Sequence, residues 1–425
     1  MSSNEVIVVT GNNTLTGSVQ VSGAKNSALK LIAASILGNG KSVIRNVPDI
    51  SDISVMVQVL VALGAQVTRN DHYLTIDTHA VDKYDTPYEL VSKMRASISI
   101  LGPLIARFGR AHVAMPGGCQ IGARKIDMHL KGLEALGVHF NVEHGFLKAT
   151  TPDGLHGAEI FLDFPSVGAT ENLLMAAVCA DGTTRIENAA REPEIEDLAA
   201  MLQSMGARVS GAGTSTIEVE GVPFAHLHPC EHTTCGDRIE AGTFLAGGAL
   251  TGGPVTVHGV NPNFLRMALM KLEAMGCTIE TTPDSITVSR TTPLQALDIQ
   301  TLPHPGFPTD LQAQFMLLCA CAQGSSVITE NVFENRFMFG SELRRMGAHI
   351  TIEDHHALVE GNCTLQGAPV TSTDLRAGAA LVLAGIVAEG QTVVHKIEHI
   401  DRGYEHFTEK LNSLGACVKR VKMCD

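Results

Sequence analysis

A short phrase built around one glycine recurs six times along this chain, and that repetition constrains the fold more than any other feature. It reads apolar, two variable positions, Leu or Met, Gly, a small residue or Val, one variable position, apolar. It appears as LVALGAQV from Leu60, LEALGVHF from Leu133, LQSMGARV from Leu202, LEAMGCTI from Leu272, LRRMGAHI from Leu343 and LNSLGACV from Leu411. The glycines are Gly64, Gly137, Gly206, Gly276, Gly347 and Gly415, at intervals of 73, 69, 70, 71 and 68 residues. A period of about 70 marks repeated supersecondary units, and six of them fill nearly all of the 425 residues.

Each glycine follows an amphipathic helical pattern and precedes two alternating runs, such as Ala65-Gln-Val-Thr and Tyr73-Leu-Thr-Ile-Asp. That pattern predicts a helix stopped on a C-terminal glycine, then a hairpin. Upstream lies a second helix, apolar on most sides and therefore buried: Ser27 to Leu37, Glu171 to Ala180 and Ala377 to Ala388 are examples. A β-rich phrase follows it, as in Thr184-Arg-Ile-Glu-Asn. One unit thus reads strand, buried helix, strand, outer helix, hairpin. Such a unit cannot cover itself, so units associate around their buried helices, most simply as two domains of three. Thr16-Gly-Ser-Val-Gln-Val is expected to be a strand of the far domain, with a second crossing near His228 to Cys235. The expected division is residues 1–24 with 232–425 as domain I and 25–231 as domain II.

Composition removes several function classes. Lys and Arg number 31 against 44 Asp and Glu, a formal net charge of -13, which opposes a nucleic-acid coat. No apolar stretch approaches the ~18 residues of a membrane span, and the N-terminus lacks a secretory pattern. Ten scattered cysteines without CxxC read as reduced thiols of a cytoplasmic protein. The 18 histidines form no zinc-spaced ladder, so no metal site is expected.

The buried helices begin with polar residues in every unit: Gly23-Ala-Lys-Asn-Ser, Met94-Arg-Ala-Ser, Ser166-Val-Gly-Ala-Thr-Glu-Asn, Gly236-Asp-Arg-Ile-Glu, Pro308-Thr-Asp-Leu-Gln and Thr373-Asp-Leu-Arg. Ordinary capping by Ser, Thr, Asp and Asn accounts for such a start in a single unit. Lys25, Arg95 and Arg376 do not fit capping, because a cation in the first turn opposes the helix dipole; an anionic ligand would supply a reason. A second basic point follows the next strand, at Arg124, Arg191, Arg336 and Arg402. Each has a structural reading, pairing with a neighbour such as Asp127, Glu192, Glu334 or Asp401. Jointly they suggest a cationic cleft between two pseudo-symmetric domains.

Pro116-Gly-Gly-Cys-Gln-Ile-Gly-Ala-Arg is the most distinctive loop. Its glycines let the backbone approach a ligand, and Cys119 stands near Arg124, where cations favour thiolate. Cys179, Cys277, Cys319 and Cys321 read instead as core groups.

Ten ordered motifs, SGAKNSALK, MRASI, PGGCQIGAR, SVGATENLLMAA, AREPEIEDLA, DRIEAGTFL, PGFPTDLQAQF, ENVFENRFM, TDLRAGAALVLAG and HIDRGYE, resemble those of the enolpyruvyl transferase family from end to end. The PGGC loop is similar to that of its UDP-N-acetylglucosamine branch. The resemblance implies two inside-out α/β domains, barrel-like, each of three βαβαββ repeats, closing on substrate at the interdomain cleft. It also implies transfer of the enolpyruvyl group of phosphoenolpyruvate to the 3'-hydroxyl of UDP-N-acetylglucosamine with release of phosphate, the first committed step of peptidoglycan precursor synthesis. No metal or organic cofactor is implied.

By the same resemblance, Lys25, Arg124 and Arg402, with Arg336 and Arg376 nearby, hold the phosphate and carboxylate, and Asn26 holds the tetrahedral intermediate. Cys119 donates a proton to the methylene carbon and forms a covalent phosphoenolpyruvate adduct. Asp310 is the base, assisted by Asp374. The nucleotide sugar falls to Arg95, to Arg124, Lys125, Ile126, Asp127 and Met128, to Ser166, Val167 and Gly168, and to Asp310 and Val332. Two departures bear on the uridine end: Lys125 stands where the family commonly has Pro, and Phe164 where some members place Lys. They motivate a rival reading with another nucleotide sugar as acceptor. A non-catalytic paralogue is disfavoured by the joint presence of Lys25, Cys119, Arg124, Asp310, Arg336, Arg376 and Arg402.

Overall fold

The computed structural model describes residues 5–91, 95–115 and 126–423, with the backbone alone for 95–97. The protein is α/β and forms two compact units. One holds the chain up to Ser22 and from Gly236 onward; the other holds the described residues between Gly23 and Cys235. Each unit has three sheets and one hydrophobic core. The sheets remain separate, and none closes into a barrel among the described residues.

The third repeat shows the pattern. Glu159–Phe161 runs parallel to Thr183–Glu187, which pairs antiparallel with Thr216–Glu220, itself antiparallel to Arg208–Ser210. A buried helix joins the parallel strands, and an outer helix leads into the hairpin, so the unit is βαβαββ. The sheet of Arg110–Ala114, Phe146–Thr150 and His139–Glu143 has three strands, with an isolated parallel bridge from Asp85 to His112 on its open side. The last repeat borrows from the N-terminus: Glu5–Thr10 lies antiparallel between Gln391–His395 and Cys417–Lys422. Gly17–Gln20 pairs parallel with Val255–His258 in the same unit. Glu231–Thr233 pairs parallel with Lys41–Arg45 in the other, which keeps that strand with residues before Gly236.

The buried helices are α1 (Lys25–Ala34), α2 (Leu101–Phe108) and α3 (Val167–Ala177) in one unit, and α4 (Arg238–Thr251), α5 (Gln312–Cys321) and α6 (Leu375–Val387) in the other. Nearly every residue of α3 and α6 is buried, as helices apolar all round must be. α1, α3 and α6 begin ahead of the apolar runs that reveal them, because the polar residues form their first turns.

The six outer helices, Ser51–Ala62, Asp127–Ala135, Pro193–Ser204, Arg266–Ala274, Gly340–Arg345 and Phe407–Ser413, all stop in the same way. The amide after the glycine donates back to the carbonyl of the first Leu in the phrase. These bonds are Ala65 to Leu60 3.0 Å, Val138 to Leu133 3.1 Å, Ala207 to Leu202 3.0 Å, Cys277 to Leu272 3.0 Å, Ala348 to Leu343 3.1 Å and Ala416 to Leu411 3.1 Å. The glycine between has φ from 93° to 110°, the left-handed turn of a Schellman cap. The repeat visible in the sequence is therefore a helix stop used six times. At Gly276 an added Cβ would meet nothing closer than Thr292 Oγ1 at 3.4 Å, so Gly276→Ala isolates the backbone term. The variant should lose about 1 to 2 kcal/mol, read as a lower denaturant midpoint; an unchanged midpoint would contradict the cap.

Candidate active site

In the unit spanning Gly23 to Cys235, Lys25 opens α1 without a side-chain cap before it. Its Nζ lies 2.8 Å from Asp52 Oδ2, and both side chains are buried. A cation at a helix N-terminus is unfavourable alone, and the Asp52 carboxylate, in the first turn of an outer helix, compensates it. Asn26 follows, half-buried. Deeper on α1, Lys30 Nζ meets Glu171 Oε2 of α3 at 2.6 Å. Burial pushes the Glu171 carboxyl up to about 7 against the pull of Lys30.

Ser166 caps α3, its hydroxyl accepting from the Ala169 amide at 3.3 Å. Val167 and Gly168 form the half-buried first turn. Ile126 and Met128 are half-buried and Asp127 is exposed at the start of Asp127–Ala135. Arg95 begins a 3-10 turn, Arg95–Ile100. Its side chain, and all of Cys119, Arg124 and Lys125, lie outside the described residues.

In the other unit the arginines and the expected base come together. Asp310 sits on the 3-10 turn Thr309–Leu311 that leads into α5. Its Oδ1 is 2.9 Å from Arg336 Nη1, and its Oδ2 accepts from Arg376 Nη2 at 3.1 Å and Nε at 3.3 Å. The guanidiniums are 4% and 2% exposed by side chain and the carboxylate 25%, so the acid is the reachable member. Arg376, in the first turn of α6, also stacks on the Tyr404 ring at 5.3 Å. Burial works against its charge, but Tyr404 and Asp310 outweigh that and raise its pKa. Tyr404 is steadied by Thr243 Oγ1 at 2.9 Å and Gln314 Nε2 at 3.3 Å.

Asp374 is the cap of α6: its Oδ1 accepts from the amides of Arg376 at 2.8 Å and Ala377 at 3.1 Å. Val332 donates its amide to Glu330 Oε1 at 2.8 Å. Glu330 also receives Thr301 Oγ1 at 2.9 Å and Thr309 Oγ1 at 2.8 Å, tying the Val332 turn to the Asp310 turn. Arg402 ends the turn Ile397–Arg402 and is half-buried.

Of the structural pairings offered for the basic points, that of Arg336 with Glu334 needs correction. Arg336 pairs with Asp310, which the fold carries to it from α5, in preference to exposed Glu334. Asp401 pairs with Arg420, across the sheet formed by the chain ends. Arg191 Nε donates to the Gly213 carbonyl at 3.4 Å. Sequence reasoning also missed Asp52, Glu330 and Tyr404. The first is an unremarkable acid in a helical turn, and the others are legible only as letters of ENVFENRFM and HIDRGYE.

Burial pushes the thiols of Cys179 and Cys321 up to about 12, and those of Cys277 and Cys319 to about 11.

The chain is similar to known proteins over nearly its whole length. The chain is 51% identical to the UDP-N-acetylglucosamine 1-carboxyvinyltransferase of Desulfosudis oleivorans, over 98% of this chain and 99% of that one. It is 52% identical to the UDP-N-acetylglucosamine 1-carboxyvinyltransferase 2 of Carboxydothermus hydrogenoformans over the same shares. Among solved structures, the enolpyruvyl transferase NikO of Streptomyces tendae superposes with a TM-score of 0.89 at 27% identity, covering 98% of both chains. An EPSP synthase of Acinetobacter baumannii, at 20% identity and a TM-score of 0.76 over 98% of this chain and 99% of that one, shares the fold. With the EPSP synthase (3-phosphoshikimate 1-carboxyvinyltransferase) profile matching residues 9–411, the chain belongs to that family of enolpyruvyl transferases.

Proposed function

We propose that this chain transfers the enolpyruvyl group of phosphoenolpyruvate to the 3'-hydroxyl of UDP-N-acetylglucosamine and releases phosphate. The observation that carries the reading is half identity, end to end, with transferases named for that acceptor. The Asp310, Arg336 and Arg376 cluster supports it, because it joins a reachable carboxylate to buried guanidiniums. The work in peptidoglycan synthesis and the cytoplasmic setting follow from the same reading.

The chemistry is addition followed by elimination. The sugar oxygen bonds to C2 of phosphoenolpyruvate while its proton passes to Asp310, and the Cys119 thiol supplies a proton to the methylene carbon. The resulting intermediate then loses a methyl proton to the Cys119 thiolate, the C2–O bond to phosphate breaks as the departing phosphate takes the proton held by Asp310, and the vinyl group is restored on the sugar. Lys25, Arg124 and Arg402 hold the two anionic groups of the donor, with Arg336 and Arg376 beside them; guanidinium suits both geometries. Asn26 steadies the intermediate, with Asp374 assisting at the base. Arg95, Arg124, Lys125, Ile126, Asp127 and Met128, with Ser166, Val167, Gly168 and Val332, receive the nucleotide sugar. Cations around Cys119 favour thiolate, which cannot donate a proton, so bound phosphoenolpyruvate must offset their field.

Phosphate release from phosphoenolpyruvate should require UDP-N-acetylglucosamine. Release with that acceptor and none without it supports the reading; no release with it, or release equal in both, defeats the reading.

A further inference from the structure

We infer that Asn172 is a positioning residue for the nucleotide sugar, acting by fixing the tautomer of His129 against the first turn of α3. The inference rests on the acceptor proposed above. Asn172 lies on α3 and is fully buried. Its side chain joins three segments. Oδ1 accepts from the Gly102 amide at 2.9 Å, Nδ2 donates to the Ile98 carbonyl at 2.9 Å, and Nδ2 lies 2.9 Å from His129 Nδ1. α2 approaches so closely that a Cβ on Gly102 would stand 2.4 Å from the Asn172 carbonyl oxygen.

The amide orientation follows from its backbone partners. A peptide N–H can only donate and a peptide carbonyl can only accept, so Gly102 selects Oδ1 and Ile98 selects Nδ2. The remaining hydrogen on Nδ2 points to His129, whose Nδ1 is therefore the bare, accepting nitrogen. The ring then carries its proton on Nε2. A proton on Nδ1 would set two N–H groups head to head. The imidazole rests against the start of α3, where a Cβ on Gly168 would be 3.1 Å from Cε1 and 3.2 Å from Nε2.

Two of the partner segments, and α3 itself, carry residues assigned above to the nucleotide sugar. Ile98 belongs to the turn opened by Arg95, His129 follows Ile126, Asp127 and Met128, and Gly168 follows Ser166 and Val167. One buried amide thus sets the register of all three, and it selects which imidazole nitrogen bears hydrogen beside α3.

Nitrogen NMR on the full chain tests the tautomer without relying on a substitution at Asn172. The His129 signals, assigned by their loss in His129→Gln, should show a bare Nδ1 and a protonated Nε2 at neutral pH. A protonated Nδ1 would overturn the inference. Asn172→Asp keeps the acceptor for Gly102 but removes both donors. It should move a proton onto His129 Nδ1 and raise KM for UDP-N-acetylglucosamine roughly tenfold, with kcat and KM for phosphoenolpyruvate within about twofold. Equal losses in all three parameters would mark Asn172 as a core residue alone and defeat the positioning role. Wild-type protein that releases no phosphate with this acceptor would remove the functional reading and the nucleotide role with it, while the NMR result would still decide the tautomer.

Discussion

Asp310→Asn should lower turnover by about 10² to 10⁴, the range for a removed general base, while binding of the nucleotide sugar weakens far less. The side chain keeps its shape and can no longer take a proton. Asp310→Ala should show the same ordering of turnover over binding but with an added stability loss. Arg336 and Arg376 are almost fully buried and both point at this carboxylate. Stripping one partner from a buried ion pair costs about 3 to 5 kcal/mol, less here because Asp310 is itself a quarter exposed. In the proposed reaction the two guanidiniums aim the acid and hold it in one rotamer. Steady-state phosphate release and calorimetric titration with UDP-N-acetylglucosamine check the prediction. An Asn variant within a few-fold of wild-type turnover would remove Asp310 from the base role.

The repeat was legible because its cause is local. A helix stop needs a glycine, a Leu carbonyl four residues before it and an amide just after it, all within one phrase. The buried helices were legible for a similar reason, since Ala377 to Ala388 has no polar face to turn outward. The compensation of charge was not. From sequence, Lys25 and Arg376 are cations in first turns that oppose the helix dipole. The fold gives each a protein partner, Asp52 from an outer helix and Asp310 from the turn before α5. Neither pairing has a sequence spacing that local geometry dictates, so no periodicity could reveal it. Asn172 was hidden differently: it stands inside an apolar helix, and its importance comes from three backbone and side-chain partners distant along the chain.

An epoxide phosphonate such as fosfomycin should abolish turnover by alkylating Cys119 alone. The reagent offers an anion to the basic groups proposed to hold phosphoenolpyruvate and an electrophilic carbon to the thiol. Thiolate sulfur attacks that carbon, a C–S bond forms, the epoxide C–O bond breaks, and the alkoxide takes a proton. Against five of the other nine thiols, selectivity follows from burial. Burial raises Cys179, Cys230, Cys277, Cys319 and Cys321 to about 11 or 12, so at neutral pH they hold roughly one thiolate in 10⁴ or fewer. Cys417 is exposed and serves as the internal control. If simple access governed the reaction, Cys417 would be modified; if anion capture governs it, Cys119 reacts at concentrations that leave Cys417 intact. Peptide mass mapping after treatment decides between them. Cys119→Asp should resist the reagent and keep part of its turnover, because a carboxyl can still donate a proton, whereas Cys119→Ala should lose about 10² or more. An adduct on Cys417 with Cys119 unmodified would detach this cysteine from the anion site and leave the proton donor of the proposed reaction without a candidate.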